Sequence, residues 1–194
     1  MIMTRKIFLP LVVFMTLSSV ISGCKDDKSV SFGWGDVDVR YTRFPQSSDV
    51  FKASTKISLK GWRGERISAV AEISSVDTLE GLTYELSDLK DKKGAIIPSS
   101  QSDIGYVTWQ TADELGPDGH GCGSRKDHSK FDSVLVADCI DQYLEELDLV
   151  PGCVQPLWIS LDIPQDAEAG TYTGTVVLRH GRKILKKLRL EVEV

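Results

Sequence analysis

From residue 157 to the C-terminus the side chains alternate between apolar and polar with a period of two. Leu157, Ile159, Leu161 and Ile163 alternate with Trp158, Ser160 and Asp162, and Pro164 closes the run. Tyr172, Gly174, Val176 and Leu178 mark the inner face of a second run. Leu188, Leu190, Val192 and Val194 mark a third, with Lys187, Arg189, Glu191 and Glu193 facing out. Successive strand residues point to opposite faces of a sheet, so this pattern specifies strands with one buried face. His180-Gly181 stands where a two-residue hairpin turn belongs. Lys186 breaks the parity, which predicts a bulge near Leu185.

The same rhythm runs upstream. Val37, Val39 and Tyr41 predict a first strand, and Ile57 with Leu59 a second. Ile67, Ala69, Ala71 and Ile73 predict a third, and Leu82, Tyr84 and Leu86 a fourth. Asp91 to Gly94 is a turn before the short apolar Ala95-Ile96-Ile97, and Ile104 to Gln110 makes a further strand. Asp138 to Leu147 carries Ile140, Tyr143, Leu144 and Leu147 at helical spacing and predicts a short helical turn, ended by Pro151-Gly152. Thr111 to Asp132 has no hydrophobic period and is longer than an ordinary connection, so it is expected to be one long polar loop. No βαβ alternation is present. The expectation is all-β: an antiparallel β-sandwich of about eight or more strands in a single domain, residues 37–194. Its core should include Trp62, Ile67, Ile73, Leu161, Tyr172 and Val176.

The first residues read as a processing signal. Arg5-Lys6 precede an apolar run from Ile7 to Val20, shorter than the about 20 residues a span needs. Ile21-Ser22-Gly23-Cys24 fits a lipobox. Residues 1–23 are therefore expected to be a lipoprotein signal peptide, with a lipid on Cys24 holding the chain to a membrane. Residues 24–36 are expected to be a tether, Ser/Gly-rich over Ser29 to Gly35. Lys25-Asp26-Asp27-Lys28 resembles the surface-export signal of Bacteroidetes lipoproteins, which implies an outer membrane lipoprotein exposed at the cell surface. In an oxidising compartment the remaining Cys122, Cys139 and Cys153 allow three single disulfides, and spacing does not choose among them.

Most reaction classes find no support. There is no Walker loop, dinucleotide fingerprint, Gly-x-Ser-x-Gly elbow or His-Glu-x-x-His, and no cofactor is expected. The net charge of −5 argues against nucleic acid as a partner. His120, Cys122, His128 and Cys139 fit no common zinc spacing, so no metal site is expected. Arg179, His180, Arg182, Lys183, Lys186 and Lys187 form a basic hairpin, read as charge defending an exposed sheet edge. Of the four tryptophans, Trp158 shares its face with Ser160 and Asp162 and is the best candidate for a partly exposed ring.

Several segments resemble one family. Gly61-Trp62-Arg63-Gly64-Glu65-Arg66, Cys122-Gly123-Ser124-Arg125 and Phe131-Asp132-Ser133 occur in order, followed by Val136-Ala137-Asp138. Gln155-Pro156-Leu157-Trp158-Ile159, Ile163-Pro164 and Ala169-Gly170-Thr171-Tyr172-Thr173-Gly174 complete the set. Together they resemble the N-terminal β-sandwich of glycoside hydrolase family 123. Known members are long β-N-acetylgalactosaminidases whose barrel carries an adjacent Asp-Glu pair, and this chain stops where their sandwich stops. The resemblance thus implies an accessory domain without the activity, and with the lipobox the expectation is a lipid-anchored, non-catalytic accessory or interaction domain in glycan handling at the cell envelope. The alternatives are a fragment of a split β-N-acetylgalactosaminidase and a stand-alone carbohydrate-binding module. The partner would be a glycosidase barrel on another chain, or a glycan. Asp113-Glu114 opens a polar loop and is expected to be solvated rather than catalytic. Arg125, Cys122 and Trp158 are the candidate contact residues, Arg125 for bidentate recognition of a carboxylate, either on a partner or, equally, on Asp132 or Asp138 within the domain.

Overall fold

The computed structural model describes residues 29–45, 54–112 and 134–194. Ile21 to Cys24, where a lipobox is expected, Asp113-Glu114, His120, Cys122, Arg125 and His128 lie outside the described residues.

Twelve strands and a single 3-10 turn, Ser99–Gln101, make up the described fold. The first sheet has the order β1 (Val30–Trp34), β3 (Arg66–Ser75), β10 (Val154–Asp162), β7 (Ser102–Ala112), β8 (Val134–Asp141). The second has the order β2 (Lys56–Lys60), β12 (Lys183–Glu193), β11 (Thr171–His180), β4 (Leu79–Leu86), β9 (Leu147–Leu149). β5 (Leu89–Lys90) extends the second sheet from β11, and β6 (Ile96–Ile97) pairs with β5. Neighbours are antiparallel except β12 and β2, which run parallel. The sheets enclose one main core, in which Ile73, Tyr106, Leu157, Tyr172, Leu178 and Val192 are shut off from solvent.

The period-two runs land as expected. Ile67, Ala69, Ala71 and Ile73 of β3 and Leu157, Ile159 and Leu161 of β10 face the core. On β12, Lys186 pairs with Leu178 and Ile184 with Arg179, so Leu185 is the extra residue that absorbs the parity slip. The hairpin turns on Gly181-Arg182, one residue later than expected, and Gly181 supplies the left-handed φ of +55°. The basic residues here do not sit on a full edge strand, because β2 covers β12 from Arg189 to Glu193. Within the described residues, the half from Lys183 to Leu188 is the uncovered one.

Four expectations are corrected. The Ser/Gly-rich stretch taken for a tether contains β1, which pairs with β3 and buries Val30, Phe32 and Trp34. Trp34 also donates from Nε1 to the carbonyl of Arg189 at 3.1 Å, tying the two sheets together. The strand expected at Val37, Val39 and Tyr41 is instead a turn and an extended strap, with Val37 and Val39 exposed. Asp36 causes this: its Oδ1 accepts the N–H of Asp38 at 2.9 Å and its carbonyl that of Val39. A side chain that bonds its own backbone two residues on competes with a strand ladder. The helical turn expected over Asp138 to Leu147 is the end of β8 followed by a bend. Asp141 Oδ1 receives the N–H groups of Tyr143 and Leu144, and Tyr143 is left exposed.

The fourth correction is Trp62, which is 83% exposed rather than buried. The turn that joins β2 to β3 is pinned from below, with Gly64 N–H bonded to the Ile163 carbonyl at 2.8 Å and Ile163 N–H to Glu65 at 2.9 Å. Glu65 Oε2 accepts the N–H of Trp62 at 2.6 Å, which closes the turn and turns the ring outward.

Candidate functional site

The second face of β3, β10, β7 and β8 is covered in its middle, where Val70, Glu72, Val107, Val154 and Pro156 are buried, and opens to solvent toward Arg66 and Asp103. Residues 35–43 cross this outer face as a strap. Gly35 N–H bonds to the Val70 carbonyl, Ala137 N–H to Tyr41, and Arg43 N–H to Leu135. Gly35 leaves room at the entry, because a Cβ there would push the Tyr41 hydroxyl and the Glu72 carboxylate from their places. Tyr41 folds back under the strap and packs on Val70 and Val154, a small second core outside the sheet. Its hydroxyl accepts the N–H of Asp36 at 2.9 Å and donates to the Asp36 carbonyl at 3.0 Å.

Glu72 lies buried beside this hydroxyl. Burial raises its pKa above the ordinary carboxylate value, with Tyr41 hydrogen bonding partly opposing that shift. Burial likewise pushes the Tyr41 hydroxyl up, and the hydrogen bond to Glu72 adds to it. The strap is thus fastened by a polar pair held away from water, a costly arrangement unless both groups are bonded.

Between the strap and the sheet runs a groove of about 370 Å³. Val70, Val107, Ala137, Ile140 and Pro156 supply apolar wall, Trp158 lies along it, and Asp38, Arg40 and Asp138 bring charge to the lining. Trp158 is half-buried, and its Nε1–H donates to Ser160 Oγ at 3.2 Å, which fixes the ring plane. Ser160 in turn faces Ser68 at 3.3 Å. Beyond them Arg66 binds Asp162 through Nε at 2.7 Å and Asp103 through Nη2 at 2.6 Å, linking β3, β10 and β7. That guanidinium holds the Asp162 carboxyl below its ordinary value.

The groove exists because two strands separate at a proline. Pro156 has no N–H to give, and the β10–β7 ladder starts one residue later, at Leu157 with Tyr106. Gln155 fills the opening. Its Nε2 donates to the Val107 carbonyl at 2.7 Å and its Oε1 accepts from Trp109 Nε1 at 3.0 Å. Sequence reasoning found Trp158 through its outward parity. It missed the strap, Glu72 and Gln155, whose roles depend on partners far along the chain. A glutamate amid the alternating apolar residues of β3, and a Gln-Pro pair inside a strand, were the available signals.

Of the candidate contacts, Trp158 is in the groove, while Cys122 and Arg125 lie outside the described residues. Cys139 is an exposed free thiol and Cys153 a buried one, so these two are not bonded to each other. Burial pushes the Cys153 thiol up, although Arg43 lies beside it and pulls the other way. Among the described residues no group of three or more His, Cys, Asp or Glu could hold a metal ion.

Fold and groove together define a β-sandwich domain with a cleft on one outer sheet face. The family model of the glycoside hydrolase 123 N-terminal domain matches residues 34–180. The chain belongs to this family. A family 123 glycoside hydrolase from Clostridium perfringens, studied for glycolipid glycan hydrolysis, superimposes with a TM-score of 0.69 at 17% identity. The match covers 86% of this chain and 27% of that one, so the chain spans about a quarter of the enzyme it resembles. The N-terminal domain of PorA (TM-score 0.37, 8% identity, 84% of this chain and 96% of that one) and the macrocyclization catalyst AvmM of alchivemycin A biosynthesis (0.38, 9%, 89% and 93%) also align. Those two follow the path of this chain too loosely to bear on fold or function. No curated relative matches the chain.

Proposed function

We propose that this chain is a non-catalytic, lipid-anchored accessory domain that handles glycans at the cell envelope and binds them in the groove beside Trp158. The observation that carries this reading is the groove itself. It joins a half-buried indole of fixed orientation to apolar wall and charged rim on one sheet face. Saccharide sites need a flat apolar surface for the sugar ring and a few placed polar groups for its hydroxyls. The match to the N-terminal domain of a glycosidase family supports a role next to glycan hydrolysis. The N-acetylgalactosamine-containing glycans of the resembled enzymes are the first ligands to try, and a barrel on a separate chain is the protein partner.

The test is calorimetric titration of the purified domain with oligosaccharides ending in β-linked N-acetylgalactosamine. Saturable binding should weaken by about tenfold or more in Trp158→Ala, a loss of roughly 1.4 kcal/mol, with the melting temperature little changed. Turnover of a chromogenic β-N-acetylgalactosaminide by the pure chain, abolished by Asp113→Ala or Glu114→Ala, would show the domain to be an enzyme instead.

A further inference from the structure

The outer face of the second sheet carries a cleft of its own, about 580 Å³, between the β5–β6 turn and the start of β11. Lys90, Lys92, Lys93 and Arg189 line it, with Thr171 and Thr173 on the strand between. The pairing of the strands fixes this placement. Lys90 stands opposite Thr173 on β11, and Thr175, two residues on, stands opposite Arg189 on β12. The turn of residues 91–94 lifts Lys92 and Lys93 to the rim.

Two carboxylates also line the cleft, and both are engaged. Asp91 Oδ1 accepts the N–H groups of Lys93 and Ala95 at 2.9 and 2.7 Å, so it builds the turn. Glu191 is held by Lys56 at 3.1 Å and by Ser58 at 3.2 Å. Arg189 reaches Glu191 only at 3.5 Å. Among the described residues no carboxylate pairs with Lys90, Lys92 or Lys93. The chain has a net charge of −5, yet this cleft gathers four cations against two engaged acids.

We infer that the cleft between the β5–β6 turn and β11 is a second binding site, for an acidic saccharide. A carboxylate or sulfate sits among Lys90, Lys92, Lys93 and Arg189, and sugar hydroxyls meet Thr171 and Thr173. Arg189 gives planar, bidentate recognition while the lysines act as mobile point charges. The volume exceeds that of a bare inorganic anion and suits a short oligosaccharide. That the ligand is a saccharide rests on the function proposed above. The preference for an anion does not.

The experiment titrates the parent chain and two charge variants with four probes: a uronate disaccharide, a sulfated disaccharide, a neutral disaccharide and inorganic sulfate. One variant is Lys90→Ala/Lys92→Ala/Lys93→Ala. The control is Arg182→Ala/Lys183→Ala at the tip of the β11–β12 hairpin. The parent should bind one or both acidic disaccharides, more weakly as salt rises, and the uronate and sulfate arms decide which anion is preferred. The triple variant should lose about tenfold or more in affinity, as expected when charge-assisted hydrogen bonds are removed, and the control should match the parent. Equal loss in both variants would reduce the site to diffuse attraction and overturn the proposal. So would acidic and neutral disaccharides binding alike, or inorganic sulfate binding as tightly as the sulfated sugar. Trp158→Ala should leave acidic binding intact, so failure at one site is separable from failure at the other.

Discussion

Two aromatic residues show what a single position can and cannot reveal. Tyr172 alternates with polar neighbours in a long strand, and its burial follows from parity. It is 1% exposed, and its hydroxyl donates to the Glu168 carbonyl at 2.9 Å. Tyr172→Ala should cost about 3–5 kcal/mol and lower the melting temperature sharply. Trp62 has no strand to set its parity. Its direction comes from the Glu65 carboxylate three residues on and from the grip of the distant Ile163 on the turn, neither of which an alternating pattern records. Trp62→Ala should stay within about 0.5 kcal/mol of the parent in denaturant unfolding, as surface substitutions do.

Glu72 carries a prediction in pH. Its carboxyl titrates above the ordinary range when folded, because burial penalises the charged form. The stability it contributes is therefore full below the unfolded pKa and is lost as pH rises through the folded one. Glu72→Gln removes that charge while keeping a polar side chain of the same shape beside the Tyr41 hydroxyl. Thermal melts of variant and parent should coincide in acid, and the variant should gain on the parent toward neutral pH. A gain that appears only in acid would mean that the pair is held as a solvated charge.

At the level of elements, long alternating runs were legible and their interruptions were not. β3, β10, β11 and β12 follow from alternation because one face is buried over eight or more residues. β1 was hidden because serine and glycine hold its outward positions, although Val30, Phe32 and Trp34 alternate inward. The segment after it looked like a strand because Val37, Val39 and Tyr41 alternate, yet Asp36 turns the chain first. Ile140, Tyr143, Leu144 and Leu147 have helical spacing, but pairing with β7 claims the chain up to Asp141. In each case a local hydrogen bond or a distant partner strand outweighed a short pattern. β1 gives the corresponding prediction. Phe32→Ala and Trp34→Ala should each cost about 3–5 kcal/mol, and a chain begun at Asp36 should unfold at much lower denaturant. If that shortened chain melts with the parent, β1 is not part of the folding unit.

Over the whole molecule, the two outer faces are unlike each other. One is partly covered by the strap of residues 35–43, with an indole, apolar walls and a groove. The other is polar and carries the lysine-lined cleft beside β11. The main core lies between the inner faces, so the outer ones can differ without disturbing it. Trp158 was legible as an outward ring. The groove beside it was not, since it needs the strap, the opened ladder at Pro156 and the Gln155 bridge together. The lipobox makes its own prediction at this scale. Cys24 should take up labelled fatty acid in growing cells, and Cys24→Ala should abolish the label and release or misplace the protein.

The four tryptophans provide the most direct measurement of the central reading. Each indole N–H gives its own nuclear magnetic resonance signal, and each has a different setting. Trp34 bonds the Arg189 carbonyl in the core, Trp109 bonds Gln155, Trp158 bonds Ser160 beside the groove, and Trp62 stands in solvent. The isotope-labelled domain would be titrated with an oligosaccharide ending in β-linked N-acetylgalactosamine, with the signals assigned by single Trp→Phe variants. The account predicts a saturable shift of the Trp158 signal, with Trp34 and Trp62 unmoved. A shift confined to Trp62, or four signals that stay in place at saturating sugar, would contradict it.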